Sequence, residues 1–91
     1  MQNSSTNVDD VSESIRPAPA DDAVLARRRE IGKRLRDKRI EAALSQEALA
    51  ERTGLERKAI SRAETGTHAI SLDGLIRWAH ALDLSERDLL G

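Results

Sequence analysis

The 91-residue chain contains no cysteine, no tyrosine and no phenylalanine, and its single tryptophan is Trp78. Without cysteine the chain forms no disulfide and no thiolate zinc site. With one aromatic side chain in the chain, the core must be built from Leu, Ile and Ala, which suits helices. Runs of β-branched residues with a period of two are also absent, so strands are not expected. The composition therefore predicts one small all-α domain.

Several functional signatures are also missing. No apolar run approaches the roughly 20 residues that span a membrane, and the N-terminus lacks the basic and apolar blocks of a signal peptide. Ser45 and Ser61 have no base arranged to activate them, and no Gly-rich phosphate loop occurs. His68 and His80 are twelve residues apart without a partner ligand. We therefore expect no enzymatic activity, no cofactor and no metal site. We also expect the protein to be cytoplasmic.

The net charge of -1 hides a strong polarisation along the chain. Residues 1–22 carry five acidic side chains and one Arg, whereas residues 27–62 carry twelve Lys or Arg and six acidic side chains. Residues 63–91 are acidic again, with two Arg and five acidic side chains. A basic central block suits a surface that faces phosphate groups. The alternative interpretation is that these charges form an ordinary solvated helix face.

The stretch from Ser45 to Gly66, SQEALAERTGLERKAISRAETG, reads as two short helices joined by a tight turn. Ala50 allows the two helices to approach closely, and Gly54 can adopt the positive φ that ends the first of them. Ile60 points back into the angle between the helices. The apolar side chains expected to fill in around it are Leu49, Leu55 and Ala63. This spacing is typical of a DNA-reading helix-turn-helix.

Residues 1–22 are rich in Ser, Asn, Asp, Pro and Ala and are predicted to be a disordered acidic tail. Residues 23–91 are predicted to form the domain, with its helix-turn-helix at 45–65. The first helix is expected to begin near Asp22 and to end at about Ala43.

The remaining helices are marked by their caps. Ser45 caps helix 2, helix 3 spans 56–65 and stops at Gly66, and Ser71 caps helix 4. Asp83 tolerates a left-handed stop, and a final turn begins with a capping box of Ser85 and Asp88. The residues predicted to face inward from helix 4 recur at helical spacing: Leu72, Leu75, Ile76, Ala79 and Leu82.

Four segments in this order resemble the lambda-repressor-like domain of the Cro/CI (XRE) family. They are LRDKR at 35–39, LSQEALAERTGL at 44–55, AISRAETG at 59–66 and LDGLIRWAHALDLS at 72–85. The resemblance implies an all-α, five-helix domain whose third helix lies in the DNA major groove. It also implies a homodimer on a roughly palindromic operator in double-stranded DNA.

The resemblance also implies roles for individual side chains. The base-facing positions of helix 3 correspond to Arg57, Lys58, Ser61 and Arg62. The positions expected to contact phosphate are Ser45, Gln46, Thr65, Thr67 and His68. Arg39 and Glu64 match a buried ion pair between helix 1 and helix 3. Arg and Lys suit the O6 and N7 acceptors of guanine, so G·C pairs are expected at the positions read by Arg57 and Arg62. The alternative is that these cations contact only phosphates.

Four residues depart from the family pattern, and one of them, Ile70, replaces a frequent Pro before helix 4. Ala43 stands where the family commonly has Gly, which costs about 1 kcal/mol if the backbone there has positive φ. Glu56 replaces the usual Ser or Thr cap of helix 3, where its carboxylate faces DNA phosphates unless it turns away or is paired. Ala63 is smaller than the usual aliphatic residue, and we expect Trp78 on helix 4 to fill the space.

The sequence also suggests how the protein associates with itself and with partners. Leu84, Leu89 and Leu90 are expected to be shared with a dimer partner, which places two recognition helices about 34 Å apart. The acidic residues 1–22 suggest an alternative function, an antitoxin or another partner-binding module with secondary DNA binding. A third possibility is that the acidic tail competes with DNA for the basic face.

Overall fold

The computed structural model describes residues 18–91, with side chains from residue 21 onward. Within that range it contains five α-helices and no strand, which confirms the all-α prediction. The helices are α1 Ala18–Glu41, α2 Gln46–Thr53, α3 Arg57–Thr65, α4 Leu72–Ala81 and α5 Glu86–Leu90. Two predictions concern the tail of residues 1–22: that it is disordered and that it contacts a partner. Residues 1–17 of that tail lie outside the described residues.

Helix α1 begins at Ala18, earlier than the predicted start near Asp22, and it ends at Glu41. The early start places Pro19 in the first turn of α1. Pro is tolerated in a first helical turn because its missing N–H has no intrahelical acceptor there. Alanines such as Ala18 and Ala23 then favour continuation of the helix. Residues 18–22 therefore belong to α1.

Side-chain caps start three of the helices where the sequence predicts them. Ser45 Oγ accepts a hydrogen bond from the Ala48 N–H at 3.0 Å, and Ser71 Oγ accepts one from the Gly74 N–H at 3.0 Å. Ser85 and Asp88 form a reciprocal capping box at the start of α5. The hydrogen bond from the Ser85 backbone N–H lowers the pKa of Asp88. Local sequence therefore fixes these helix boundaries.

Within residues 18–91, two residues other than glycine have left-handed backbone. Ala43 and Asp83 each have φ of 59° and follow the ends of α1 and α4. The Ala43 N–H donates to the Ile40 carbonyl at 2.8 Å, so the turn after α1 is closed by hydrogen bonds despite the strain. The positive φ considered for Ala43 is therefore present.

The core is small and aliphatic around one indole. Its buried members are Leu35, Leu49, Ile60, Ala63, Leu75, Trp78, Ala79 and Leu89. Helix α4 buries the arc centred on Leu75 and Trp78. Leu72 and Ile76 lie beyond the edge of that arc and are 71% and 44% exposed, so their predicted inward position is wrong.

Helix α3 packs mainly against α1 and α2. A Cβ atom at Gly32 of α1 would lie 2.4 Å from the Ala63 carbonyl oxygen and 2.7 Å from that of Glu64. Helix α1 therefore lies directly against the backbone of α3 at these two residues. Trp78, which is expected to fill the space left by the small Ala63 side chain, is fully buried and belongs to the same core cluster as Ala63.

Candidate nucleic-acid interface

Helix α3 has one buried side and one open side. Ile60, Ala63 and Glu64 are buried against the other helices. Arg57, Lys58 and Arg62 are exposed, and Ser61 is half-buried. The four positions that the sequence assigned to base contacts thus include three exposed cations on one short helix. Within residues 18–91, Lys58 and Arg62 make no ion pair, so their charge is available to an outside anion.

The start of α3 carries an acidic residue that does not act as a cap. Glu56 occupies the N-cap position with φ of −73° and ψ of 144°, but its side chain makes no capping hydrogen bond. The side chain is exposed, and within the described residues it forms no ion pair with Arg57 or Lys58. The Glu56 side chain therefore satisfies none of the first N–H groups of α3.

A buried ion pair anchors α3 to α1, as the family resemblance implied. Arg39 Nε lies 2.6 Å from Glu64 Oε2, and Arg39 Nη2 lies 3.0 Å from Glu64 Oε1. A third donor, Arg39 Nη1, bonds the Leu44 carbonyl at 2.7 Å. The hydrogen bond to Glu64 raises the pKa of Arg39. Because both side chains are at most 10% exposed, the pair fixes α3 against α1 and the following turn.

Gln46 extends this ion pair to the surface. Its Nε2 donates to Glu64 Oε1 at 3.1 Å, and its Oε1 accepts from Arg57 Nη1 at 3.3 Å. Arg57 Nε also lies 3.9 Å from Glu47 Oε2. A continuous chain of contacts therefore runs from buried Arg39 to exposed Arg57. Sequence reasoning assigned Gln46 a phosphate contact and missed this link to Arg57.

The loop after α3 is held in a defined shape. The Thr65 and Thr67 hydroxyl groups are hydrogen-bonded to each other. The N–H groups of Thr67 and His68 point to the Arg62 carbonyl at 3.1 and 3.4 Å. Arg28 Nε bonds the Gly66 carbonyl at 2.8 Å, a contact from α1 that sequence reasoning did not identify. The loop residues expected to meet phosphate thus share one exposed surface beside α3.

Gly32 is a second residue that sequence reasoning missed. A glycine inside a helical pattern was the available signal, because it commonly marks a close packing contact. It allows α1 to lie against the backbone of α3 at Ala63 and Glu64. Gly32 therefore determines how deeply the recognition helix sits in the domain.

The expected dimer residues have unequal environments. Leu89 is 0% exposed within one protomer, so its predicted place in a dimer interface is wrong: a side chain without accessible surface contributes no area to a partner. Leu84 and Leu90 are half-buried. The Leu90 carbonyl accepts a hydrogen bond from Arg27 Nη2 at 2.6 Å, which ties α5 to α1.

Two observations concern other classes of site. No group of three or more metal-ligating side chains occurs among the described residues, and His68 and His80 are exposed on separate elements. A search of the same part of the chain finds no helix with the length and apolarity that crossing a bilayer requires.

A family model described as helix-turn-helix matches residues 35–89. The chain is 39% identical to the restriction-modification controller protein C.AhdI from Aeromonas hydrophila, over 74% of this chain and 97% of that one, with a TM-score of 0.65. It is 31% identical to SinR, the master regulator for biofilm formation, in a structure with DNA. That match covers 67% of this chain and 98% of that one, with a TM-score of 0.64.

A third solved structure is the clp gene regulator ClgR from Corynebacterium glutamicum. It is 30% identical over 70% of this chain and 68% of its own, with a TM-score of 0.67. No curated protein sequence matches the chain.

Proposed function

The chain belongs to the lambda-repressor-like (Cro/CI, XRE) family of helix-turn-helix DNA-binding proteins, and on that premise we propose that it is a transcriptional regulator that reads a specific double-stranded DNA sequence. The observation that carries the proposal is the open side of α3, where Arg57, Lys58 and Arg62 are exposed on a helix whose other side is buried. A helix presented in this way fits the major groove of B-DNA.

The roles proposed for the side chains follow their surroundings. Arg57, Lys58, Ser61 and Arg62 face the bases, with the two Arg guanidinium groups directed to guanine O6 and N7. Gln46 holds Arg57 at 3.3 Å, so it orients a base-reading side chain as well as lying at the phosphate. The residues proposed to contact the DNA backbone flank α3 at both ends. They are Ser45, Gln46, Thr65, Thr67 and His68. Half or more of the hydrogen bonds at such an interface go to phosphate and sugar, and they set the register of the helix.

The proposed assembly is a homodimer on a palindromic operator. Two-fold symmetry would place two copies of α3 about 34 Å apart, in successive major grooves. Leu84 and Leu90 retain accessible surface at the C-terminal end of the domain and are the proposed contributors to the interface. Sedimentation at rising protein concentration tests this assembly, and a pure monomer at high concentration would count against it.

Substitution of a single cation separates base reading from simple charge attraction. Arg62→Ala is expected to weaken binding to the best operator and to make the protein tolerant of substitutions at one base pair. Lys33→Ala is the matched control, because Lys33 is an exposed cation of α1, 79% accessible and paired with Asp37 at 3.2 Å.

The measurement is a footprint or a binding titration on a set of single-base operator variants at fixed salt. Selective tolerance at one position in Arg62→Ala, absent in Lys33→Ala, supports base readout. Equal weakening across all operator variants assigns Arg62 to phosphate.

A further inference from the structure

An apolar groove of about 580 Å³ lies on the side of the domain formed by α1, the loop before α4 and the end of α5. Ile31, Ile70 and Leu75 line the groove. At its lip, Val24 and Leu72 are 61% and 71% exposed. Two large aliphatic side chains open to water beside one cavity need a covering group, because isolated apolar patches of this kind mark interaction sites.

The rim of this groove is cationic. Arg27, Arg28 and His68 are among its lining residues. Arg28 uses Nε for the Gly66 carbonyl, which leaves the other N–H groups of its guanidinium for a second acceptor. The Arg27 side chain is 53% exposed, and its neighbouring carboxylate is Glu30 at 3.1 Å. The groove therefore suits an occupant that combines aliphatic side chains with more than one carboxylate.

The chain itself contains such a segment. Residues 8–15 read VDDVSESI, with aliphatic side chains at Val8, Val11 and Ile15. Asp9, Asp10 and Glu13 lie between them. The alternation of aliphatic and acidic residues matches an apolar floor with a basic rim. The segment also lies in the acidic part of the chain, where attraction to the basic block is strongest.

The length of chain between this segment and α1 is sufficient for docking. Val24 lies six residues into α1 from Ala18, which is about 9 Å along the axis at 1.5 Å per residue. Three extended residues span about 10 Å. A chain that reverses before Ala18 therefore brings Val11 level with Val24, and Val8 further along toward Ile31.

We propose that residues 8–15 dock into this groove of their own chain, with Val8 and Val11 against the apolar floor and the acidic side chains against Arg27, Arg28 and His68. The proposal does not rest on the regulator function, and its test uses no DNA, so the two can fail separately. Its location beside the loop of Thr67 and His68 places carboxylates next to the proposed phosphate contacts. A docked tail would therefore lower the affinity of the protein for DNA of any sequence.

The absence of cysteine makes a direct test possible. A spin label is attached to the full chain through Ser12→Cys, and the loss of amide signal intensity is followed by 1H–15N NMR. We expect strong signal loss at Ile70 and Leu72 across the groove. Adding Leu72→Gln or Val11→Gln to the labelled chain should restore these signals, because each removes one half of the apolar contact.

Ile76→Gln is the matched control on the same helix. Ile76 is 44% exposed and does not line the groove, so this variant should leave the signal loss intact. Since Leu72 is largely exposed, Leu72→Gln should fold, and thermal unfolding of each variant checks that it does.

Two results overturn the proposal. The first is an absence of signal loss at Ile70 and Leu72 in the labelled wild-type background, or a loss that Leu72→Gln does not reverse. The second is signal loss in a mixture of isotope-labelled protein without spin label and spin-labelled protein without isotope. That result would assign the groove to the tail of a second copy. Signal loss confined to the doubly labelled chain and independent of concentration supports docking within one chain.

Discussion

Gly32 lies where α1 crosses the backbone of α3, and it has no space for a side chain. Ala at an ordinary helical Gly position stabilises the helix by about 0.5–1 kcal/mol. At position 32 the added Cβ would lie 2.4 Å from the Ala63 carbonyl oxygen, which is backbone and cannot rotate away. We predict that Gly32→Ala lowers the free energy of unfolding by about 1–3 kcal/mol, as overpacking does.

Chemical denaturation measures this loss, and Gly74→Ala is its control. The nearest atoms to a Cβ at Gly74 belong to the side chains of Ile70 and Ser71, at 3.0 and 3.1 Å. The Ile70 side chain can shift, and the distance to the capping Ser71 Oγ is longer than the 2.4 Å contact at Gly32, so the control is expected to change stability by less than Gly32→Ala. A Gly32→Ala protein as stable as wild type would show that α1 and α3 are not in close contact.

A substitution at Ala43 is expected to stabilise the protein, whereas Gly32→Ala destabilises it. The Ala43 φ of 59° suits Gly and strains any side chain with a Cβ. We predict that Ala43→Gly raises the free energy of unfolding by about 1 kcal/mol. Asp83→Gly should gain less, because Asp tolerates left-handed backbone better than Ala does. Equal thermal midpoints for Ala43→Gly and wild type would contradict the strained turn after α1.

At the element scale, α3 is the helix among α2 to α5 whose start lacks a side-chain cap. Glu56 makes no side-chain cap, whereas Ser45, Ser71 and Ser85 cap α2, α4 and α5. We predict that Glu56→Ser stabilises the fold by about 1 kcal/mol, because Ser at an N-cap accepts an otherwise unpaired N–H. It should also tighten DNA binding at low salt by removing a carboxylate near phosphate. Glu56→Gln separates the two effects: it removes the charge without a Ser cap, and denaturation and DNA titration are compared for both variants.

The Arg39–Glu64 pair joins two elements and shows how burial changes the value of an ion pair. Arg39→Met leaves the Glu64 carboxylate buried at 2% exposure without its partner. We predict a loss of about 3–5 kcal/mol, and recovery of much of it in the double variant Arg39→Met with Glu64→Met. The exposed pair Lys33–Asp37 is the comparison, where Lys33→Met should cost below about 1 kcal/mol. Urea denaturation of the three variants beside the wild-type protein decides, and an Arg39→Met loss as small as that of Lys33→Met would contradict this account.

At the scale of the whole molecule, the sequence predicts what is local. Helix ends at Ser45, Gly66 and Ser85 depend on neighbouring residues, so their boundaries are predictable from spacing. The early start of α1 is also local, because Pro and Ala are tolerated or favoured in its first turns, whereas the burial of Leu89 depends on packing between distant elements. Periodicity also assigned Leu72 to the core, because spacing along one helix does not define the width of the arc that its neighbours cover.

The candidate site divides in the same way. The exposed cations of α3 and the Arg39–Glu64 pair were available from sequence and family resemblance. The Gln46 bridge to Arg57 and the Arg28 contact with Gly66 were not, because each joins side chains of different helices at a specific angle. Hydrogen bonds of this kind follow from the packed arrangement of α1, α2 and α3.

The central claim is that α3 reads bases, and equilibrium binding to two duplexes tests it most directly. The first duplex carries the sequence recovered by selection from a random DNA pool, and the second has the same bases in scrambled order, at one fixed salt concentration. We predict that the protein binds the selected duplex about 10³-fold or more tightly than the scrambled one. The double variant Arg57→Ala with Arg62→Ala should lose most of that ratio while keeping part of its affinity for the scrambled DNA. Equal affinity of the folded wild-type protein for both duplexes would contradict the claim.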